Sequence, residues 1–268
     1  MLHVFIVSLT QDVEKREVIS QILKGFGIKY NFVNAVYGKE LSENILNSFR
    51  RKSKGKITGR GFPATPGEVG CTLSHIDVYK KIVDSDIAWS CILEDDAILD
   101  ERFENFIRTF KEDQLSPKSL YLLGGQNGFP EAQVVKSRKN AIEIGGQKFD
   151  KTIRSEKFLH RTCCYIVSSQ MAKDIVELSS SAFILADDWE YLKTVGVIER
   201  IYLSNFVDHP IDLSASHLQI EREHAASNKT LVNVNSKTLI VARIKHSIKW
   251  RLRLLVLNTY KYLEKKKT

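Results

Sequence analysis

The chain has 268 residues, of which 43% are hydrophobic, 27% charged and 9% aromatic. That composition excludes collagenous, disordered and disulfide-framework classes. The formal charge of +8 is uneven: residues 237–268 carry ten Lys/Arg against one acid, Glu264, and the rest is close to neutral. A neutral body argues against a nucleic-acid partner, and no run of about 18 apolar residues is present to span a bilayer.

Val4-Phe5-Ile6-Val7 follows the N-terminus directly and reads as a buried first strand, not a signal peptide. A helix over 14–26 and a strand over 30–33 follow, implying parallel pairing. Residues 38–65 look irregular after a short helix at 42–49. The stretch 50–60 has six bases and no acid, which suits a mobile surface loop or a loop that contacts phosphate. Thr65-Pro66-Gly67-Glu68 has capping-box spacing, with Pro66 in the first turn, and opens a helix running to about 83. Gly67 and Gly70 would let that helix approach another backbone closely. Strands are predicted at 89–93, 119–123, 163–167 and 201–206, and helices at 103–110 and 169–178, with another beginning at 186–189. Residues 129–160 suit hairpins or a loop beside a site. The fold expected is a three-layer α/β sandwich with most strands parallel. Cys71, Cys91, Cys163 and Cys164 lack paired CxxC spacing, which points to buried reduced thiols rather than zinc, and to the cytoplasm.

Chemistry concentrates at strand ends. Glu94-Asp95-Asp96 closes the apolar run Cys91-Ile92-Leu93, where ligands of open α/β sheets bind. Alternation turns Glu94 and Asp96 to one side, and a hard divalent cation is the simplest way to keep both ionised. The competing reading is an acidic strand end that caps the next helix. Asp187-Asp188-Trp189 offers a second acidic pair, suited to helix capping or to work as a general base. Ser74-His75 lies on the capped helix. His209 and His217, near Asp208 and Asp212, could supply a metal ligand. Arg16 and the bases of 50–60 could meet phosphates.

Thr65-Pro66-Gly67-Glu68-Val69-Gly70-Cys71-Thr72-Leu73-Ser74-His75-Ile76, with Ile92-Leu93-Glu94-Asp95-Asp96-Ala97, resembles glycosyltransferase family 25, which includes bacterial lipooligosaccharide galactosyltransferases. Phe5-Ile6-Val7-Ser8-Leu9, Glu14-Lys15-Arg16-Glu17 and Phe32-Val33-Asn34-Ala35-Val36 are similar to its opening, and Asp188-Trp189 to its later acidic–aromatic pair. The likeness covers roughly residues 1–220. It implies a GT-A-type, Rossmann-like domain over 1–236 and inverting transfer, often of galactose from UDP-galactose, to lipid A-core oligosaccharide. Manganese or magnesium would assist. On this reading Ser8, Leu9, Arg16, Asn34, Ser74, His75, Glu94 and Asp95 bind the donor. Asp96 and His209 hold the metal, and Asp188, or failing it Asp187, is the base. The rival readings are a nucleotidyltransferase with the same metal–diphosphate chemistry and a non-catalytic nucleotide-sugar-binding protein.

The tail, 237–268, lies outside the likeness. Val241, Ile244, Ile248, Leu252 and Leu255 fall on one helical face, and Lys245, Lys249 and Arg253 form a basic stripe beside Trp250. That is the pattern of an interfacial helix on anionic lipid, implying a peripheral protein on the inner face of the bacterial inner membrane. A helix docked on the body is the alternative.

Overall fold

Successive residues of the central strands are buried on opposite sides, which requires helices on both faces of one sheet. The computed structural model describes residues 2–130, 133–212 and 216–230. Its elements run β1 (His3–Ser8), α1 (Val13–Gly25), β2 (Tyr30–Asn34), α2 (Glu43–Arg51), α3 (Pro66–Asp84), β3 (Trp89–Glu94), α4 (Glu101–Thr109) and β4 (Ser119–Gly124). They continue with β5 (Lys136–Ile144), β6 (Gln147–Thr152), β7 (Cys164–Ser168), α5 (Ser169–Ser181), α6 (Trp189–Thr194), β8 (Arg200–Val207) and α7 (His217–Thr230).

Val4, Ile6, Cys91, Leu93, Tyr121, Leu123, Cys164 and Ile166 face one core, closed by Ile19 and Leu23 of α1 and by Phe103 and Phe106 of α4. Their strand neighbours Phe5, Val7, Ile92, Leu120, Leu122, Tyr165 and Val167 face the other, beneath α3, α5 and α6. Strands covered on both faces read as continuous apolar runs. Burying each such large side chain contributes about 1.5–3 kcal/mol, so the two cores hold the sheet between its helices.

The sheet order is β2-β1-β3-β7-β4-β8-β6-β5. β1 pairs in parallel with β2 and β3, and β4 with β8. The ladders of β7 to β3 and β4, and of β6 to β8 and β5, are antiparallel. The expected mostly parallel sheet is therefore mixed. The apolar run of β7 would look the same in either direction; its reversal is set by long-range connection, which periodicity does not encode. Within 129–160 a hairpin forms, β5 to β6, turning at Gly145 (φ +54°) and Gly146 (φ +70°). Two consecutive positive φ values match the twist of a hairpin, and glycine adopts them without strain.

α3 begins as its sequence requires. The Thr65 hydroxyl accepts from the Glu68 N–H and the Glu68 carboxylate accepts from the Thr65 N–H. A Cβ on Gly70 would stand 2.5 Å from the Val36 carbonyl oxygen, so the glycine allows the close backbone approach foreseen for it. Residues up to Arg222 pack as one unit. The boundary expected at 236/237 and the tail beyond it lie outside the described residues. No helix among the described residues is long and apolar enough to cross a membrane.

Candidate active site

β1 and β3 lie side by side and end together, which brings Ser8 and Leu9 beside Glu94, Asp95 and Asp96. A cavity of about 450 Å³ opens at this edge, lined by these five residues. Ser74, His75, Asp187 and His209 also line it. Its size suits a small-molecule ligand.

His209 arrives by a short pairing after β8: the Ile98 N–H donates to the Asp208 carbonyl (2.9 Å) and the Asp208 N–H to that of Ile98 (3.1 Å). The His209 N–H donates to the Asn127 side-chain oxygen at 3.0 Å, fixing the loop. Its Nδ1 lies 2.8 Å from the Pro210 carbonyl, which only accepts, so Nδ1 carries a proton and Nε2 is the nitrogen left to meet a cation. Nε2 stands 3.6 Å from Asp96 Oδ2. Glu94, Asp96 and His209 offer donor atoms within 4.8 Å of one another.

This set fits a hard or borderline divalent cation, with two carboxylate oxygens and one imidazole. A second observation agrees: Asp96 Oδ1 is buried and has no partner among the described residues, and a buried polar atom of this kind calls for one. Burial, and then the neighbouring Glu94 charge, push the Asp96 carboxyl up to about 6. Burial alone would raise Glu94 as well, but His75 and Thr162 hold it below the ordinary carboxylate value. The Thr162 hydroxyl donates to Glu94 Oε1, and His75 Nε2 is 3.6 Å from the same oxygen.

Asp95 turns the other way, 4.0 Å from Lys15 Nζ. The Ser74 hydroxyl donates to the Gly70 carbonyl (2.6 Å) and accepts from the Val36 N–H (2.8 Å). It thereby pins the segment after β2 to α3.

Three expected residues are not brought to the cavity. Arg16 donates to Asn34 Oδ1 at 2.7 Å and its guanidinium lies 4.4 Å from the centre of the Phe32 ring. Both it and Asn34 are absent from the cavity wall. Asp188, expected as the base, is 1% exposed and also absent from the wall. Its Oδ1 accepts from the Tyr191 N–H at 3.2 Å, capping α6, and its Oδ2 accepts from the Lys56 N–H. Burial raises its carboxyl against the pull of these amides. Of the two acids, Asp187 lines the cavity and Asp188 does not.

Asp187 Oδ2 accepts from the Arg161 N–H at 2.9 Å. Burial would raise its carboxyl, but Lys56 and Arg222 outweigh burial and hold it low. None of the bases of 50–60 lines the cavity; Arg51, Lys52 and Lys54 are exposed, as a surface loop would have them. Arg60 pairs with Glu68, and Lys56 Nζ donates to the Leu159 (3.1 Å) and Asp187 (2.9 Å) carbonyls. His217 begins α7, and its side chain lies outside the described residues.

Lys15, Arg161 and Thr162 went unread in the sequence. Lys15 sits one position before the arginine that drew notice. Arg161 and Thr162 lie in a loop with no motif; they reach the cavity because Cys163 pairs with β3, its carbonyl accepting from the Glu94 N–H at 2.9 Å.

The profile of glycosyltransferase family 25 (LPS biosynthesis protein) matches residues 1–189. Procollagen galactosyltransferase 1-A of Xenopus laevis is 33% identical over 113 residues, covering 41% of this chain and 18% of that protein. Procollagen galactosyltransferase 1 of Danio rerio is 24% identical over 221 residues, covering 80% of this chain and 33% of its own length. The probable inactive glycosyltransferase 25 family member 3 of Rattus norvegicus is 28% identical over 154 residues, covering 55% of this chain and 27% of that protein. The chain thus spans between about a fifth and a third of these relatives. Among solved structures, the inositol-1-phosphate CTP transferase from T. maritima matches with a TM-score of 0.35 and 10% identity, over 87% of this chain and 78% of that one. That likeness is too slight to bear on function.

Proposed function

The chain belongs to glycosyltransferase family 25, and on that premise we propose that it transfers a sugar, most simply galactose, from a UDP-sugar to a lipooligosaccharide core acceptor with inversion. The observation that carries the proposal is the convergence of Glu94, Asp96 and His209 on one cavity that Asp187 also lines. Galactose is suggested by the relatives named procollagen galactosyltransferase, and the acceptor by the family description. A GT-A-type reading of the mixed sheet goes with this assignment.

Breaking a glycosyl–phosphate bond leaves negative charge on the departing diphosphate. Glu94, Asp96 and His209 would hold manganese or magnesium, which when bound supplies positive charge against that diphosphate. Lys15 adds a fixed cation at the same edge. Ser8 and Leu9, at the end of β1, bound the donor space. Asp187 stays ionised at neutral pH and is the carboxylate we assign to take the proton of the acceptor hydroxyl.

Relatives named as inactive make a second reading concrete: a protein that binds a nucleotide sugar without transferring it. A panel of UDP-galactose, UDP-glucose and UDP-N-acetylglucosamine, each with manganese and assayed for released UDP, tests the choice. Manganese-dependent release, greatest with one donor, is the expected result. Binding with no release from any donor would favour the second reading, and diphosphate release from a nucleoside triphosphate with a sugar phosphate would favour a nucleotidyltransferase.

We further propose that residues 237–268 bring the enzyme to anionic lipid at the inner leaflet, where a lipid-linked acceptor would be met. Their ten bases, at about 1 kcal/mol for each that nears the surface, supply ample attraction. The full chain should sediment with anionic vesicles and a chain lacking 240–268 should not; equal sedimentation of the two would defeat the idea.

A further inference from the structure

Glu94 also belongs to a second group of donors, whose other two members the transfer chemistry above does not use. Cys71 and His75 are four residues apart on α3 and so share one helix face. With Glu94 they place a sulfur, an imidazole nitrogen and a carboxylate oxygen within 4.8 Å of one another. Cys71 lines the cavity, so an ion entering from solvent can reach it.

The decisive atom is His75 Nε2. The residue is 1% exposed, and this nitrogen is buried with no hydrogen-bond partner among the described residues, 3.6 Å from Glu94 Oε1. The other ring nitrogen, Nδ1, is 2.7 Å from the Tyr165 hydroxyl, which is 2.7 Å from that of Tyr79. With a cation bound, Nδ1 would donate to this buried tyrosine pair and Nε2 would turn its lone pair to the ion, replacing the interaction by which His75 holds the Glu94 carboxyl low. A metal-binding imidazole is oriented through its second nitrogen in the same way.

We infer that Cys71, His75 and Glu94 form a binding site for a thiophilic divalent cation, zinc, distinct from the oxygen-rich set of Glu94, Asp96 and His209. Sulfur and imidazole favour zinc over magnesium or manganese, and three protein ligands leave a fourth position for water. Binding is a ligand exchange with no change of oxidation state: the Cys71 thiol loses its proton to solvent, its sulfur bonds to zinc, and a zinc-bound water departs. The donors around one zinc ion stand roughly 3–4 Å apart, so the three side chains need only close inward slightly. Cysteine spacing in the sequence gave no hint of this site, because it is assembled from a helix face and a strand end.

Glu94 belongs to both sets, so zinc would compete with the hard cation. Inhibition of transfer by zinc rests on the proposed function; the binding itself does not.

Cobalt(II) reports a thiolate ligand through sulfur-to-metal charge-transfer absorption in the near ultraviolet. Titrated into the full chain it should produce that absorption, and an equivalent of zinc should abolish it. Cys71→Ser and Cys71→Ala should lose it while keeping the circular dichroism spectrum of the wild type. Cys163→Ser should retain it, since Cys163 is not in the donor set. Asp96→Asn should also retain it while losing manganese-dependent UDP binding, which separates failure of this site from failure of the transferase reading. No charge-transfer absorption in the wild type, or undiminished absorption in folded Cys71→Ser, would overturn the assignment.

Discussion

Asp96→Asn should raise the dissociation constant of UDP in the presence of manganese roughly a hundredfold or more. Binding of UDP without metal should be unchanged. The asparagine keeps the shape of the side chain but removes the charge that opposes a divalent ion, and it leaves Glu94 and His209 as an incomplete set. The loss should come without loss of fold. Burial and Glu94 raise the Asp96 carboxyl to about 6, and an acid raised on folding destabilises the native state at pH values above that point. Asp96→Asn should therefore melt no lower than the wild type at neutral pH in chelator. The same raised value sets a pH dependence. A proton and a metal compete for the carboxylate, so wild-type manganese affinity should be full above about pH 7 and fall by up to tenfold per unit as pH drops through about 6. The asparagine variant should lack that component. Unchanged UDP affinity with manganese in Asp96→Asn would remove this carboxylate from the metal set.

The acidic triplet was legible because its position follows from local pattern alone. An apolar run such as Cys91-Ile92-Leu93, followed at once by charge, reads as a buried strand that ends at an edge; β3 does end at Glu94, and Asp95 and Asp96 follow in a turn. The capped start of α3 was legible for a similar reason, since Thr65, Pro66 and Glu68 each satisfy a local demand. What escaped depends on contacts distant in sequence. The reversal of β7 leaves no mark on its own residues. Arg161 and Thr162 become site residues only because Cys163 falls beside β3. The bases of 50–60 were expected to face solvent or phosphate. Arg51, Lys52 and Lys54 are exposed, but Arg60 and Lys56 are spent on Glu68 and on backbone carbonyls, which their sequence neighbours give no means of foreseeing. Arg16 and Lys15 make the same point, because one step along a helix decided which of two cations faces the cavity.

The choice between Asp187 and Asp188 separates function from stability within one dipeptide. Asp187→Asn should lower turnover by about 10² to 10⁴, the usual worth of a positioned general base. UDP affinity should be little changed. The melting temperature should fall modestly, since the amide oxygen can still accept from the Arg161 N–H but the charge that Lys56 and Arg222 keep ionised is lost. Asp188→Ala should do the reverse. It strips the cap from α6 and leaves the Lys56 and Tyr191 N–H groups without their acceptor, at a cost of about 1–3 kcal/mol. At roughly 2–4 °C per kcal/mol for a domain of this size, the fall in melting temperature is readily measured. Asp188→Asn should recover only part of it, because its single acceptor oxygen can serve one of the two N–H groups and its NH2 cannot accept from the other. If Asp188→Asn abolishes turnover at an unchanged melting temperature while Asp187→Asn turns over normally, the roles are exchanged. The buried carboxylate would then have to leave both backbone amides to reach an acceptor. Breaking two buried hydrogen bonds in every cycle is a cost that Asp187, already facing the cavity, does not incur.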